Sequence, residues 1–325
     1  MPFVLKEIPR LKYAATRDGF GLGLLEAAKK NKNIVVLSAD LTESTRCLPF
    51  KEKFPERFIQ LGVAEQSMAS IAAGLALGGK IPFITSYAIF SPGRNWEQIR
   101  TCIALQNANV KIIGSHAGLN VGPDGATHQM LEDLALTRVL PGITILSPCD
   151  VAEAKKATLA AAKIKGPVYL RLAREASPIF TGSTTLFEVG RMQIFREGVA
   201  ATIIATGPLV YEALKAAEIL KIKDKLNVRV INCSTIKPLD KKTIIESAKK
   251  TGVIVTVEEH MVAGGLGSAV AEVVVANHPV PMEFVGIKDK FGESGKPQEL
   301  LEKYGLTARY IVAAVIRTIA RKNKK

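Results

Sequence analysis

The segment at residues 62–79 (GVAEQSMASIAAGLALGG) contains one carboxylate, Glu65, between an apolar strand end and a helix of small residues. A carboxylate at the start of a helix often does no more than complement the helix dipole. A buried carboxylate can instead have a shifted proton affinity and face a nitrogen atom of a cofactor. The residues of this segment leave both roles open for Glu65.

A second candidate site is a loop rich in glycine and proline at residues 115–133 (SHAGLNVGPDGATHQMLED), which contains His116, Asp124 and His128. Loops at strand ends often carry functional side chains. The two histidines lie twelve residues apart without a third nitrogen or sulfur ligand, which is poor spacing for zinc. We therefore predict no metal bound by these residues. The sequence also lacks GxGxxG, GxxxxGKS and GxxxxGKT, the phosphate-binding loops of nicotinamide-dinucleotide and P-loop proteins.

The apolar runs that must position these residues alternate with helical patterns. In the first half of the chain they occupy residues 34–40, 81–87, 110–116, 143–148 and 168–173. Nearly continuous apolar strands separated by helices predict a parallel sheet covered on both faces. Functional side chains then gather at the carboxyl ends of the strands. The sequence has four such residues there: Asp40, Tyr87, His116 and Arg174.

A second α/β series follows after a break in the pattern. Pro178, Gly182 and Gly190 interrupt the periodicity. Apolar runs then resume at residues 200–207, 228–235, 253–260 and 282–287. We predict a first domain at residues 1–178, a linker at residues 179–198 and a smaller α/β domain at residues 199–325.

Length and composition fit a globular protein of two domains. The 325 residues are 47% hydrophobic and 23% charged, so the chain can bury substantial cores. The longest weakly polar run, residues 67–79, is shorter than the ~20 residues that a membrane span needs, and no signal peptide is read. We expect a cytoplasmic protein with no membrane partner. The four cysteines lack CxxC spacing, so we expect free thiols.

The net charge of +14 requires a hypothesis about partners. Nucleic acid, an anionic surface, phosphorylated substrates and an acidic partner subunit all attract a basic protein. Aromatic residues make up only 6% of the chain and are not interleaved with the basic ones, so we predict no nucleic-acid binding. A basic interaction protein on a degenerate enzyme fold stays open as the alternative outside enzymes.

Several motifs in one order carry a resemblance to a known family. They are SADLTES at residues 38–44, GVAEQSM at 62–68, GPDGATHQ at 122–129, LARE at 172–175, VEEH at 257–260, GGLGS at 264–268 and YGLTA at 304–308. Together they resemble the carboxyl half of transketolases over nearly the whole chain. The resemblance implies a pyrimidine-binding domain of the thiamine-diphosphate fold, followed by the transketolase carboxyl-terminal domain.

The resemblance also implies roles in binding thiamine diphosphate. The family's glutamate at the position of Glu65 hydrogen-bonds the aminopyrimidine ring and promotes its imino tautomer, which takes the proton from the thiazolium carbon. Asp40 is expected to approach the cofactor, and Tyr87 and Phe90 are the candidates for the aromatic wall beside the pyrimidine. A third aromatic residue is expected where this sequence has Gly93, with Trp96 close by.

For the substrate, the resemblance implies a channel lined by His116 and His128, which recognise hydroxyl groups and shuttle protons. With Glu65 they are the expected catalytic residues. Asp124 is expected to bind a sugar hydroxyl. The family positions that hold the sugar phosphate are occupied here by Arg17, Ser44 and Arg174, and guanidinium groups suit this task.

One motif of full-length transketolases is absent. Their amino-terminal domain has a GDG motif that binds magnesium and the diphosphate, and no GDG occurs in this sequence. The resemblance therefore implies the carboxyl-terminal subunit of a split transketolase. We predict that a separate amino-terminal subunit binds most of the Mg²⁺ or Ca²⁺ and that two copies of each subunit form an α2β2 heterotetramer. The alternatives are an enzyme like 1-deoxyxylulose-5-phosphate synthase and a β subunit of 2-oxo-acid dehydrogenases.

Overall fold

The computed structural model describes residues 11–323 as strands and helices that alternate along the chain. The strands are β1 Tyr13–Ala15, β2 Ile34–Ser38, β3 Phe58–Gln60, β4 Ile81–Tyr87, β5 Lys111–Ser115, β6 Thr144–Leu146, β7 Val168–Arg171, β8 Ala176–Pro178, β9 Gln193–Arg196, β10 Thr202–Ala205, β11 Arg229–Asn232, β12 Thr235–Lys237, β13 Ile254–Met261 and β14 Met282–Ile287. The helices are α1 Thr16–Lys30, α2 Leu48–Lys53, α3 Glu65–Leu77, α4 Trp96–Gln98, α5 Asp133–Arg138, α6 Val151–Ala161, α7 Leu209–Lys223, α8 Lys241–Thr251, α9 Leu266–Asn277, α10 Pro297–Lys303 and α11 Ala308–Asn323. A π-helical stretch, Ile99–Ala104, continues α4, and short 3₁₀ turns occur at Pro55–Arg57 and Leu119–Asp124.

The larger sheet has the strand order β12-β6-β7-β5-β4-β2-β3, and all neighbours except β12 and β6 are parallel. Its strands are apolar on both faces, as the sequence predicts. In β2, Ile34 and Val36 pack towards α1 and α6, whereas Val35 and Leu37 belong to the cluster that contains α3 and α5. The period of two in a strand therefore gives one apolar face to each helical layer.

The smaller sheet has the order β14-β13-β10-β11-β9, in which only the edge strand β9 is antiparallel. Helices α7 and α11 supply apolar residues to the cluster on one of its faces. Residues of α8 and α9 join the other face to the same apolar cluster that contains α3. The two sheets are thus connected by a continuous core, which fixes the second sheet close to the loops of the first.

The structure confirms the predicted α/β class with parallel sheets covered by helices, and all nine predicted apolar runs form strands. Two strands that were not predicted change the boundaries between the sheets. Strand β9 lies within the predicted linker at residues 179–198 but pairs with β11 of the smaller sheet. Strand β12 follows β11 closely yet pairs with β6 of the larger sheet. The domain limits at residues 178 and 199 stay a prediction.

A buried polar network joins the two sheets behind the candidate site. Arg171 donates from Nε to Asp133 Oδ2 and from Nη2 to the carbonyl oxygen of Glu259, each at 2.8 Å. Tyr169 also donates to Asp133, at 2.8 Å, and the Glu259 carboxylate accepts from the backbone N–H of Asn120 at 2.7 Å. These residues are all nearly inaccessible to solvent, so their charges are compensated by each other.

The four cysteines are free, and Cys47, Cys149 and Cys233 are buried whereas Cys102 is partly exposed. Burial raises the pKa of the Cys47 thiol to about 11, which leaves it protonated and unreactive near neutral pH. Within residues 11–323, no group of three or more His, Cys, Asp or Glu side chains is arranged to hold a metal ion. In the same part of the chain, no helix combines the length and apolar character needed to cross a bilayer.

Candidate active site

Parallel register brings the predicted site residues to one edge of the larger sheet. Strands β4 and β5 pair so that Tyr87 lies opposite Ser115, and β7 is the other neighbour of β5. Asp40, His116 and Arg174 follow β2, β5 and β7 within three residues. These side chains come from distant parts of the sequence, and the sheet alone places them side by side.

Glu65 is the first residue of α3 and is only 2% exposed. Its Oε1 accepts a hydrogen bond from Ser86 Oγ at 3.1 Å, and its backbone carbonyl accepts one from Asn95 Nδ2 at 3.0 Å. Its Oε2 is buried and has no hydrogen-bond partner among residues 11–323. A buried carboxylate oxygen without a partner is costly, so this atom is suited to a ligand that brings a polar group.

Four rings form an aromatic wall near the edge of the sheet. Tyr87 stacks on His116 with ring centroids 3.8 Å apart and on Phe90 with centroids 6.0 Å apart. His128 meets Phe90 edge to face at 5.6 Å and Tyr87 at 6.4 Å. The structure therefore brings both predicted histidines and both predicted aromatic residues into one group.

His116 is buried and has the left-handed backbone angle φ = 56°. Its Nε2 lies 3.2 Å from Arg17 Nη1, and its Nδ1 lies 2.9 Å from Ser115 Oγ. A guanidinium can only donate, so Nε2 accepts and the proton of the neutral ring is on Nδ1. The pKa of His116 is lowered to about 3. Burial is the largest cause, and the positive charges of Arg17 and Arg174 act in the same direction. The ring is neutral at physiological pH.

Two arginines and two smaller polar residues form the outer part of the site. Arg17 Nη1 donates to the backbone carbonyl of Ser44 at 3.0 Å, and its Nε is buried without a partner among residues 11–323. Burial is the main cause that lowers the pKa of Arg17. Arg174 Nη1 donates to Asp124 Oδ1 at 3.2 Å and to the carbonyl of Val121 at 2.6 Å. The predicted substrate residues are thus held by one another.

Asp40 is exposed and has φ = 61°, in the left-handed region. Its backbone N–H donates to Gln60 Oε1, and its Oδ1 accepts from Gln60 Nε2, both at 3.3 Å. Gln60 ends the neighbouring strand β3, so this pair fixes the loop after β2. The carboxylate of Asp40 contacts this glutamine rather than the aromatic wall, and its role towards a cofactor stays a prediction.

The position of the expected third aromatic residue is occupied by Gly93, where no side chain fits. A Cβ atom at Gly93 would lie 2.0 Å from the carbonyl oxygen of Ile89. The nearby Trp96 is used elsewhere, because its indole N–H donates to the carbonyl of Leu136 at 2.8 Å and its ring packs against the main core. In this chain the wall therefore consists of Tyr87 and Phe90 with the histidines.

Sequence reasoning assigned no role to two residues that hold Glu65, namely Ser86 and Asn95. Ser86 is one residue before Tyr87 at the end of β4, and this strand-end position was the available signal. Asn95 lies in the irregular turn before α4, and no pattern in the sequence links it with α3. Arg46 was also missed, although it is two residues after Ser44 and pairs with Asp18 near Arg17.

Comparison of the chain with known proteins identifies its family. The family model described as "Transketolase, pyrimidine binding domain" matches residues 12–178, and the one described as "Transketolase, C-terminal domain" matches residues 190–311. The chain belongs to the transketolase family. This confirms the resemblance in the sequence motifs and the thiamine-diphosphate fold that it implies.

Three related proteins have the same extent as this transketolase-family chain. The "Putative transketolase C-terminal section" of Methanocaldococcus jannaschii is 44% identical over 94% of this chain and 96% of its own. The "6-deoxy-6-sulfo-D-fructose transketolase subunit SqwH" of Clostridium sp. (strain MSTE9) is 42% identical over 94% of this chain and 95% of its own. A solved structure named "Split gene transketolase, inactive beta4 tetramer" is 47% identical, covers 95% of this chain and 99% of its own, and has a TM-score of 0.89.

The transketolase family implies dependence on thiamine diphosphate, and the residues present fit its pyrimidine ring. The unpartnered Oε2 of Glu65 would bind a ring nitrogen. Tyr87 and Phe90 offer aromatic faces for stacking. Within residues 11–323, no comparable cluster of metal-binding side chains is available for the charged diphosphate end.

Proposed function

We propose that this chain is the carboxyl-terminal subunit of a two-chain transketolase, which transfers a two-carbon ketol unit from a ketose phosphate to an aldose phosphate. The observation that supports this most is the buried, unpartnered Oε2 of Glu65 at the edge of the sheet that holds the paired histidines. A carboxylate in that state is ready to bind a protonatable ring nitrogen. The names of the relatives agree with a subunit of this kind.

Thiamine diphosphate, when bound, would supply the electron sink for the two-carbon transfer. Glu65 would hold the pyrimidine nitrogen through Oε2 and share a proton with it, while Ser86 keeps the carboxylate in place through Oε1. The burial of Glu65 excludes water, which strengthens the hydrogen bond between its carboxylate and the ring nitrogen. The chemistry therefore requires a carboxylate, not only a polar group of the same shape, at position 65.

The two histidines have different tasks in this proposal. His116 is neutral, its Nδ1 is held by Ser115 and its Nε2 accepts from Arg17, so it would bind a sugar hydroxyl at Nε2 when the hydroxyl replaces this Arg17 contact. His128 is less buried and its Nδ1 lies 2.9 Å from Thr127 Oγ1. Its Nε2 is the group that moves a proton to or from a substrate hydroxyl. Asp124 binds another hydroxyl, and Arg17, Ser44 and Arg174 hold the terminal anion of the sugar.

The proposal includes a partner. An amino-terminal subunit would bind the diphosphate and the Mg²⁺ or Ca²⁺, and two copies of each chain would form the heterotetramer in the cytoplasm. Support comes from the related structure whose name describes a tetramer of β subunits as inactive. An inactive assembly of the carboxyl-terminal chains alone is what an incomplete active site would produce.

The test is the substitution Glu65→Gln in the enzyme assembled with the amino-terminal subunit. The rate of two-carbon transfer from xylulose 5-phosphate to ribose 5-phosphate is expected to fall at least ~100-fold, because the amide keeps the shape but cannot share a proton with the ring. The matched control is Glu56→Gln, since Glu56 is exposed in a short 3₁₀ turn. The proposed role is wrong if the Glu65→Gln enzyme keeps a rate near that of the parent.

A further inference from the structure

Left-handed backbone angles cluster at the candidate active site. Within residues 11–323, the residues other than glycine with positive φ are Asp40, Arg46, Asn107, His116, Lys225 and Asp289. Asp40 and His116 are site residues, and Arg46 lies two residues after Ser44 at the same edge of the sheet. Residues with branched or long side chains avoid this conformation, and exceptions concentrate where function requires a fixed geometry. Of the three at this edge of the sheet, Arg46, with φ = 64°, is the one with no role assigned so far.

Contacts with Gly21 and Glu43 accommodate Arg46 in this conformation. A Cβ atom at Gly21 would lie 2.9 Å from both the Cβ and the carbonyl oxygen of Arg46, so α1 needs a glycine there. The backbone N–H of Arg46 donates to the carbonyl of Glu43 at 3.0 Å, which closes the turn. The surrounding residues therefore fix the backbone position of Arg46.

The side chain of Arg46 is oriented through one nitrogen only. Its Nε lies 2.5 Å from Asp18 Oδ1, and Asp18 Oδ2 accepts from the backbone N–H of Ala15 at the start of α1. The two terminal nitrogens of Arg46 have no partner among residues 11–323. A guanidinium held at Nε presents its two terminal nitrogens as a fork, which matches the oxygens of an anion.

Arg46 belongs to a group of three arginines around His116. We call Arg17, Arg46 and Arg174 the arginine rim. Each of the three contributes to the positive field at His116. The carboxylates paired with the rim are Asp18 on Arg46 and Asp124 on Arg174, while Glu175 lies 3.9 Å from Arg174 on the exposed side. Arg17 has hydrogen bonds to a carbonyl and to His116 but no carboxylate within ion-pair distance among residues 11–323.

We propose that Arg46 is a third anion-binding arginine of this site and makes it prefer a doubly charged phosphate over a singly charged sulfonate. The inference rests on the proposed function, in which the arginine rim holds the terminal group of the sugar. A phosphate ester carries close to two negative charges above pH 7, whereas a sulfonate carries one. An added guanidinium therefore stabilises the phosphate more. The name of one relative includes a sulfo sugar, and a sulfonate is the anion that such a sugar carries.

The test measures anion binding on this chain directly. The chain is labelled with ¹⁵N-histidine, and the ring signals of His116, which contacts Arg17, are followed during titration with methyl phosphate or methanesulfonate at pH 8. The variant is Arg46→Asn, because asparagine tolerates positive φ and so keeps the turn. Arg46→Gly serves as a second variant that adopts this angle without strain. The control is Arg191→Asn, since the Arg191 side chain is 57% exposed.

Both Arg46 variants are expected to raise the dissociation constant of methyl phosphate about tenfold and that of methanesulfonate less than about threefold. The Arg191 variant is expected to match the parent. Equal loss for both anions, no loss for either, or no response of the parent to methyl phosphate would each overturn the proposal. The proposed function is judged separately by two-carbon transfer in the assembled enzyme, so a parent that binds phosphate but transfers nothing contradicts that function and not the role of Arg46.

Discussion

At the scale of single residues, the environment of His116 decides what its ring can do. The ring is buried against Tyr87 and is bound at both nitrogens. Burial is the largest cause that lowers its pKa to about 3, and neighbouring arginines act in the same direction. A neutral ring does not compete with the arginines for an anion, and Nε2 is the atom at which a hydroxyl would replace Arg17. In the proposed function, hydroxyl recognition is thereby separate from anion binding by the neighbouring arginines.

We predict that His116 remains neutral between pH 8 and pH 5. The unfolded chain binds a proton at this histidine near pH ~6.5, whereas the folded chain does not until about pH 3. Its contribution therefore lowers the free energy of unfolding as the pH falls from ~6.5 towards 3. The ¹⁵N ring shifts of His116 should not change between pH 8 and 5, and those of the urea-unfolded chain should titrate. A midpoint near pH 6.5 in the folded chain would refute this.

At this scale, much of the site could be predicted from the sequence, because its residues lie in local motifs at strand ends. Glu65 and His116 each follow an apolar run that defines their position. The partners could not be predicted, since Asn95 and Arg46 reach the site through irregular turns. The orientation of Trp96 depends on a hydrogen bond to α5 and has no sequence signal.

At the scale of elements, α1 is held against α6 by glycines that allow the helix backbones to approach closely. A Cβ atom at Gly19 would lie 2.1 Å from the carbonyl oxygen of Val151, and one at Gly23 would lie 2.8 Å from Thr158 Cβ. Arg17 is two residues before Gly19 on the same helix. The close packing of α1 on α6 therefore sets the distance of Arg17 from His116.

We predict that Gly19→Ala lowers the free energy of unfolding by ~1–3 kcal/mol, because the added methyl group has no space in this contact. The control is Gly74→Ala in α3, where a Cβ atom meets nothing within 4 Å. That change is expected to raise the free energy by ~0.5–1 kcal/mol, since alanine favours a helix interior more than glycine does. Urea denaturation measures both. A Gly19→Ala chain as stable as the parent would show that α1 can shift without cost.

The length and burial of the strands explain which of them the sequence predicts. The nine predicted strands are buried apolar runs whose residue types identify them without tertiary information. Strands β3, β9 and β12 are three or four residues long and include exposed or half-buried positions. Short strands of this kind form because a neighbouring strand offers a free edge, and that information lies elsewhere in the sequence.

At the scale of the whole molecule, Arg171 links the two sheets. From β7 of the larger sheet it neutralises Asp133 at the start of α5 and donates to the Glu259 carbonyl in β13 of the smaller sheet. Glu259 in turn binds Asn120, whose Oδ1 accepts from the backbone N–H of Arg174 at 2.8 Å. The second sheet therefore supports the loop that carries Arg174, the arginine proposed to bind the substrate.

We predict that Arg171→Leu lowers the free energy of unfolding by ~3–5 kcal/mol, because it leaves the buried carboxylate of Asp133 without its cation. The control is Arg317→Leu, which breaks an ion pair with Glu283 through a side chain that is 60% exposed. That loss should be ~0–1 kcal/mol. Denaturation curves followed by far-ultraviolet circular dichroism compare the two. Similar curves for both variants would show that the network contributes little.

In the proposed function, this chain provides one half of an active site. This chain supplies the carboxylate, the histidines, the aromatic wall and the arginine rim. Within residues 11–323 it has no cluster suited to a divalent metal. The basic net charge of +14 also favours association with anionic substrates and with a less basic partner chain.

The central claim is tested most directly by measuring two-carbon transfer from xylulose 5-phosphate to ribose 5-phosphate with thiamine diphosphate and magnesium. The chain is assayed alone and after mixing with the amino-terminal subunit from the same source. We expect transfer in the mixture and none by the chain alone. Transfer by the chain alone at the rate of the mixture would contradict the split active site. Absence of transfer in a mixture whose chains are shown to associate would contradict the transketolase reaction itself.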